Sequence, residues 1–124
     1  AVKRAPAFAE IRPAFEAFLG GAVLLAHAAW NEIDFLNYEM RRAKLAGWDD
    51  YPYDEDRFLD TQIIAGDVLK RDRVSLDVLC DRLWIDRSDR FAYHGALLDA
   101  SLTAEAFVKM ATGFVQDDTR AASF

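Results

Sequence analysis

One short apolar run, Ala22-Val23-Leu24-Leu25-Ala26, most limits what this chain can fold into. It is continuous rather than alternating, the pattern of a strand covered on both faces. A membrane-spanning helix needs about 20 apolar residues, so the run is far too short to span. Upstream, Phe8, Ile11, Phe15 and Phe18 recur at helical spacing, which predicts an amphipathic helix over residues 9–19. Pro13 is tolerated only in a first turn, which places the true start near Ile11 or Arg12, and Gly20-Gly21 ends the helix. Downstream, a second helix begins near Asn31 or Glu32, with Ile33, Leu36, Met40 and Ala43 on one face and Gly47 closing it. A buried strand between amphipathic helices is the signature of an α/β unit.

The remaining chain adds little sheet. Trp48 to Asp56 is acidic, aromatic and carries Pro52, so it reads as a loop. Residues 57–60 form a second short strand, and Thr61 to Leu69 a helix with Ile63, Ile64 and Val68 as its apolar positions. Ser75 is an N-cap, followed by Asp77 at the positive end of the helix dipole and by Leu76, Leu79, Cys80 and Leu83 on one face. Arg87 to Tyr93 is a polar loop. The last helix spans about Ala96 to Met110, with Leu98, Leu102 and Ala106 inward, and Gly113 ends it. A chain of 124 residues holds one domain; its expected extent is 1–113, with 114–124 as a tail. Two strands are too few for an independent sheet.

Hydrophobic residues make up 52% and charged residues 29%, a globular composition. The net charge of −6 argues against holding nucleic acid on a broad basic surface. It leaves open an enzyme whose carboxylates bind metal ions that face the phosphates. The single cysteine, Cys80, rules out an intrachain disulfide or a Cys-rich zinc site and fits an intracellular, cytoplasmic protein. No apolar signal-peptide core follows the N-terminal Ala-Val-Lys-Arg-Ala-Pro. The chain does not begin with Met, as expected of a cut product or an interior piece of a larger protein.

The chemistry concentrates in His94-Gly95-Ala96-Leu97-Leu98-Asp99-Ala100. His94 lies in a loop and Asp99 on the first turns of a helix, with Gly95 expected to let the backbone turn tightly between them. Such a pair suits phosphodiester hydrolysis: the carboxylate binds a hard divalent cation, and the neutral imidazole takes a proton from water. By spacing alone, a surface histidine and a helix-start aspartate serve as well. The segment resembles the third motif of the DEDDh 3′–5′ exonuclease family, of the type in bacterial DNA polymerase III epsilon subunits. The likeness extends upstream through Ser75 to Cys80 and Ile85 to Ser88, and downstream through Ala104-Glu105. Phe8 to Ile11 and Leu24 to His27 also fit the family, so it covers roughly Pro6 to Gly113.

The resemblance implies a ribonuclease H-like α/β exonuclease fold, with its first three strands not in this chain. It implies hydrolysis with two divalent metal ions, Mg²⁺ or Mn²⁺, held by four carboxylates, with His94 as general base and Asp99 as a metal ligand. The second family motif, His-Asn-Ala-x-Phe-Asp, corresponds to His27-Ala28-Ala29-Trp30-Asn31-Glu32. Glu32 falls on the ligand position; Ala28 and Asn31 depart from the pattern. Asp34, two residues on, faces elsewhere on a helix. Glu32 also serves as a plain acidic residue at a helix start. Trp30 is positioned either to stack on a terminal base or to pack. His27 and Cys80 read as structural, and Lys70-Arg71-Asp72-Arg73 as a solvated loop. The first motif, an Asp-x-Glu pair on the first strand, is absent, which predicts little activity from this chain alone. The expected partners are a DNA 3′ end and a protein such as a polymerase, another nuclease subunit or the missing segment. The alternative is a degenerate, non-catalytic interaction module.

Overall fold

The computed structural model describes residues 5–43, 53–90 and 95–113, and the backbone of residues 91 and 92. The chain divides into two compact units, Ala1–Leu24 with Trp30–Leu59, and Leu25–Ala29 with Asp60–Phe124. Two strands, β1 (Leu24–Ala26) and β2 (Phe58–Asp60), pair as a two-stranded parallel sheet. A helix, α2, connects them, as a parallel pair requires.

In the first unit, α1 spans Phe8–Leu19 and α2 spans Ala29–Ala43. The start of α1 differs from expectation, since Pro13 sits inside the helix rather than in its first turn. The proline removes one donor, which leaves the carbonyl of Ala9 without its intrahelical partner. Ala9 and Pro13 are both exposed, so water can take that carbonyl. Phe8 and Phe15 meet edge-on with ring centroids 5.5 Å apart, and Arg12 pairs with Glu16. No residue of α1 is buried. This unit buries a polar pair: Asn37 Nδ2 donates to the Tyr53 carbonyl at 2.7 Å, and Tyr53 N donates to Asn37 Oδ1 at 3.0 Å. A short 3-10 turn, Glu55–Arg57, leads into β2. Arg57 reaches the Gly20 carbonyl at 2.8 Å and the Ala22 carbonyl at 3.3 Å, over the Tyr53 ring.

In the second unit, α3 (Thr61–Leu69), α4 (Leu76–Arg82), the short α5 (Asp89–Ala92) and α6 (Ala96–Ala111) follow one another. The expected N-cap holds: Ser75 Oγ accepts from Val78 N at 3.1 Å. Lys70 ends α3 in the left-handed conformation, and the N–H of Arg71 returns to the Gly66 carbonyl. A Cβ at Gly66 would stand 2.9 Å from the Arg71 carbonyl oxygen, so only glycine admits this close turn. Helix α6 packs on α3 and α4. The core joins Ala65 and Leu69 of α3, Leu76, Leu79 and Cys80 of α4, and Leu102, Ala106 and Met110 of α6. Cys80 is fully buried, and burial pushes its thiol up to about 11, so it is an inert core residue.

The polar loop expected over residues 87–93 instead contains α5, which begins at Asp89 and is tied to α6 by the bond of Arg90 to Asp99. Gly47, the residues 48–52 of the acidic loop, Tyr93, His94 and the tail 114–124 lie outside the described residues.

Candidate active site

Asp99 stands in the first turn of α6, where its amide donates to the Gly95 carbonyl at 3.0 Å. Gly95 is extended at φ −85° and ψ 147°, a conformation open to any residue, so nothing in its own backbone angles calls for glycine. The Asp99 carboxylate is gripped by Arg90 of α5. Arg90 Nε lies 2.8 Å from Oδ1, and its terminal nitrogen 3.3 Å from Oδ2. The other terminal nitrogen of Arg90 bonds Asp77 of α4. Arg87 in turn bonds both oxygens of Asp81, at 2.8 and 3.0 Å, and reaches Asp77 at 3.7 Å. The result is an alternating chain of charges, Asp99–Arg90–Asp77–Arg87–Asp81, tying α5 to α4 and α6. Burial opposes the charge on Arg90, yet the bonds to Asp99 and Asp77 outweigh it and raise its affinity for the proton. Asp81 is shifted down by its bond to Arg87.

A second polar cluster ties the end of β1 to α3. His27 is held by both ring nitrogens: Nε2 lies 2.7 Å from the Val74 carbonyl and Nδ1 2.8 Å from Thr61 Oγ1. A carbonyl only accepts, so Nε2 carries the proton. Burial depresses the His27 pKa, chiefly against the Val74 bond, which favours the neutral ring with Nδ1 accepting from the Thr61 hydroxyl. Both nitrogens are committed within the fold, as a structural histidine requires.

Beside it, Asp60 caps α3 by accepting from Gln62 N at 2.8 Å. Its oxygens also accept from Ala28 N and Ala29 N, both at 2.9 Å, at the start of α2. One carboxylate therefore serves two helix beginnings. Ala28 adopts φ +63°, the left-handed region that alanine visits at a cost. The family motif places asparagine there, a residue that tolerates this region. Sequence reasoning missed both Asp60 and Arg90. An aspartate directly before a helical pattern signals the first; nothing local signals the second.

Glu32 sits exposed in the first turn of α2, and Trp30 is 62% exposed at its start. Both belong to the first unit and Asp99 to the second. His94 lies outside the described residues. Among the described residues, no group of three His, Cys, Asp or Glu side chains is placed to hold a metal ion. Asp99, the one third-motif carboxylate described, has both oxygens on a guanidinium. These residues by themselves do not fit a divalent metal centre.

The model of an exonuclease family matches residues 1–107, most of the chain. The chain belongs to this exonuclease family. Its α/β architecture is accordingly that of the ribonuclease H-like exonucleases. The chain is similar to DNA polymerase III subunit epsilon of Haemophilus influenzae, 39% identical over 108 residues, covering 87% of this chain and 41% of the relative. The corresponding subunit of Escherichia coli is 37% identical over 110 residues, 87% of this chain and 43% of the relative. That of Rickettsia prowazekii is 36% identical over 118 residues, 90% of this chain and 48% of the relative. This exonuclease-family chain thus spans less than half the length of these curated relatives. No helix among its described residues is long and apolar enough to cross a membrane.

Proposed function

We propose that this chain is part of a 3′–5′ exonuclease that removes nucleotides from DNA ends, in proofreading or end trimming. The observation that carries the reading is the His94–Ala100 motif within a chain whose family match spans residues 1–107. In this reading residues 1–113 are the exonuclease portion, 114–124 a tail, and the protein works in the cytoplasm. Its partners are a frayed or single-stranded DNA 3′ end and a polymerase, another nuclease subunit or a further segment of the same protein. His94 takes the proton from attacking water. Asp99 and Glu32 are the carboxylates that would hold Mg²⁺ or Mn²⁺, which supplies charge stabilisation at the phosphate when bound. Residues 1–124 alone are expected to release little or no nucleotide, because no group of three metal ligands stands among the described residues. The test is release of mononucleotides from a 3′-labelled single strand by the full-length protein with Mg²⁺. Loss of release in Asp99→Ala, with folding intact, supports the reading; unchanged release rejects it.

The second reading is a non-catalytic interaction module. The exposed apolar side chains of the first unit, Phe18 at 87% and Phe35 at 67%, favour it. It requires a partner whose binding survives Asp99→Ala while the full-length protein shows no nuclease activity.

A further inference from the structure

We propose that the loop Lys70–Arg73, with the adjoining end of α3, grips backbone phosphates of a DNA strand; the choice of DNA as ligand rests on the nuclease reading above. Three observations carry it. First, the cations of the loop are uncommitted. Arg12, Arg42, Arg87 and Arg90 each hold a carboxylate, and Arg57 and Lys109 hold backbone carbonyls. Among the described residues, Lys70, Arg71 and Arg73 are exposed and enter no ion pair or side-chain hydrogen bond. Second, all three line one open hollow of about 370 Å³ on the second unit. Third, the loop is held in shape at a backbone cost. Lys70 and Arg73 take left-handed angles, φ +56° and +51°, where glycine or asparagine is the easier choice. The Arg71 N–H is tied to the Gly66 carbonyl at 3.2 Å. The Val74 carbonyl, just past the loop, accepts from His27 Nε2 at 2.7 Å and Gln62 Nε2 at 3.2 Å. Strained backbone pinned at both ends is a mark of a ligand-holding loop.

The lining decides the occupant. Three cations suit phosphate oxygens, and Ile63, 65% exposed in the same hollow, offers apolar surface to a sugar. Asp67 and Asp72 share the hollow, so three positive charges face two negative ones. The grip is therefore weak. A weak contact to phosphates, blind to base sequence, lets a strand advance as its end is shortened. Through Val74 the loop is anchored to His27, which directly follows β1 and opens the second motif.

The experiment is fluorescence anisotropy of a labelled single-stranded oligonucleotide with the full-length protein in EDTA, across a range of salt. It compares wild type, Asp72→Asn, and a triple variant carrying Lys70→Asn, Arg71→Gln and Arg73→Asn, in which asparagine keeps the left-handed angles. The triple variant is expected to bind roughly tenfold more weakly. Its slope of log affinity against log salt should flatten by about 2, because each single-strand phosphate contact contributes about 0.7. Asp72→Asn is expected to bind severalfold more tightly, a gain that no folding defect produces. Unchanged affinity in both variants overturns the grip, as does weaker binding in the triple variant with the salt slope kept. A mononucleotide that competes as well as the oligonucleotide overturns the strand in favour of a lone phosphate. The nuclease reading is judged apart, by Mg²⁺-dependent release from wild type. Release with unchanged binding in the triple variant removes the grip and leaves that reading; weakened binding without release does the reverse.

Discussion

The two units of this chain solve the same problem differently. The second unit buries a continuous apolar cluster, with Ala65, Leu79, Cys80 and Ala106 fully shielded and three helices contributing. In the first, no residue of α1 is fully buried, Met40 and Tyr53 are the large apolar side chains shielded, and the Asn37–Tyr53 pair and Arg57 on backbone carbonyls add polar ties. An amphipathic pattern in sequence thus states a capacity to pack; burial depends on a facing surface. Helices α4 and α6 have one in each other, whereas Phe8, Phe15 and Leu19 of α1 are only partly covered.

Core truncation is the sharpest way to break this comparison. Leu79→Ala in the second unit should cost about 3–4 kcal/mol, whereas Phe18→Ala in the first should stay within about 0.5 kcal/mol. Urea melts of the two variants check this, and equal losses would erase the contrast. Next in size is Asp60→Ala, which orphans three backbone donors at two helix starts and should cost about 2–3 kcal/mol. Asp60→Asn should recover part of that, since one amide oxygen still accepts.

A pH effect of intermediate size comes from His27. Its folded pKa lies below the ordinary 6.5, so between those values the unfolded chain binds more protons than the folded one. The stability it contributes is whole above about pH 6.5 and is lost as pH falls toward the folded pKa. The melting temperature should therefore drop from pH 7 to pH 5, and His27→Gln should flatten that slope. A slope unchanged in the variant would assign the effect to other groups. The smallest effect is expected at Ala28, where φ is +63°. Ala28→Asn should stabilise by about 0.5 kcal/mol, because asparagine tolerates the left-handed region. Destabilisation would mean that the methyl group packs more than its backbone strains.

What the sequence revealed was local. Ser75 as a cap, Thr61–Leu69 as a helix and Cys80 as core all follow from neighbours within one or two turns, and the structure bears them out. The start of α1 was misplaced because the rule about proline concerns a lost hydrogen bond, and an exposed carbonyl can do without it. The backbone angles of Gly95 are ordinary and make no use of the freedom that glycine offers. Arg90 was invisible because its partners lie nine and thirteen residues away, a pairing made only by the packing of α4, α5 and α6. Asp60 announced one cap through its position before Thr61 and concealed the other, more than thirty residues back at Ala28 and Ala29. The family, by contrast, was legible from the His94–Ala100 motif and its flanks, because that chemistry is written in contiguous residues.

The most direct test of the central claim is digestion of a 3′-labelled single-stranded oligonucleotide by the full-length protein with Mg²⁺, beside Asp99→Ala. The account predicts stepwise release of mononucleotides from the 3′ end and a loss of about 100-fold or more in the variant, with its melting temperature kept. Absence of release by the full-length protein, or equal release by Asp99→Ala, would contradict it.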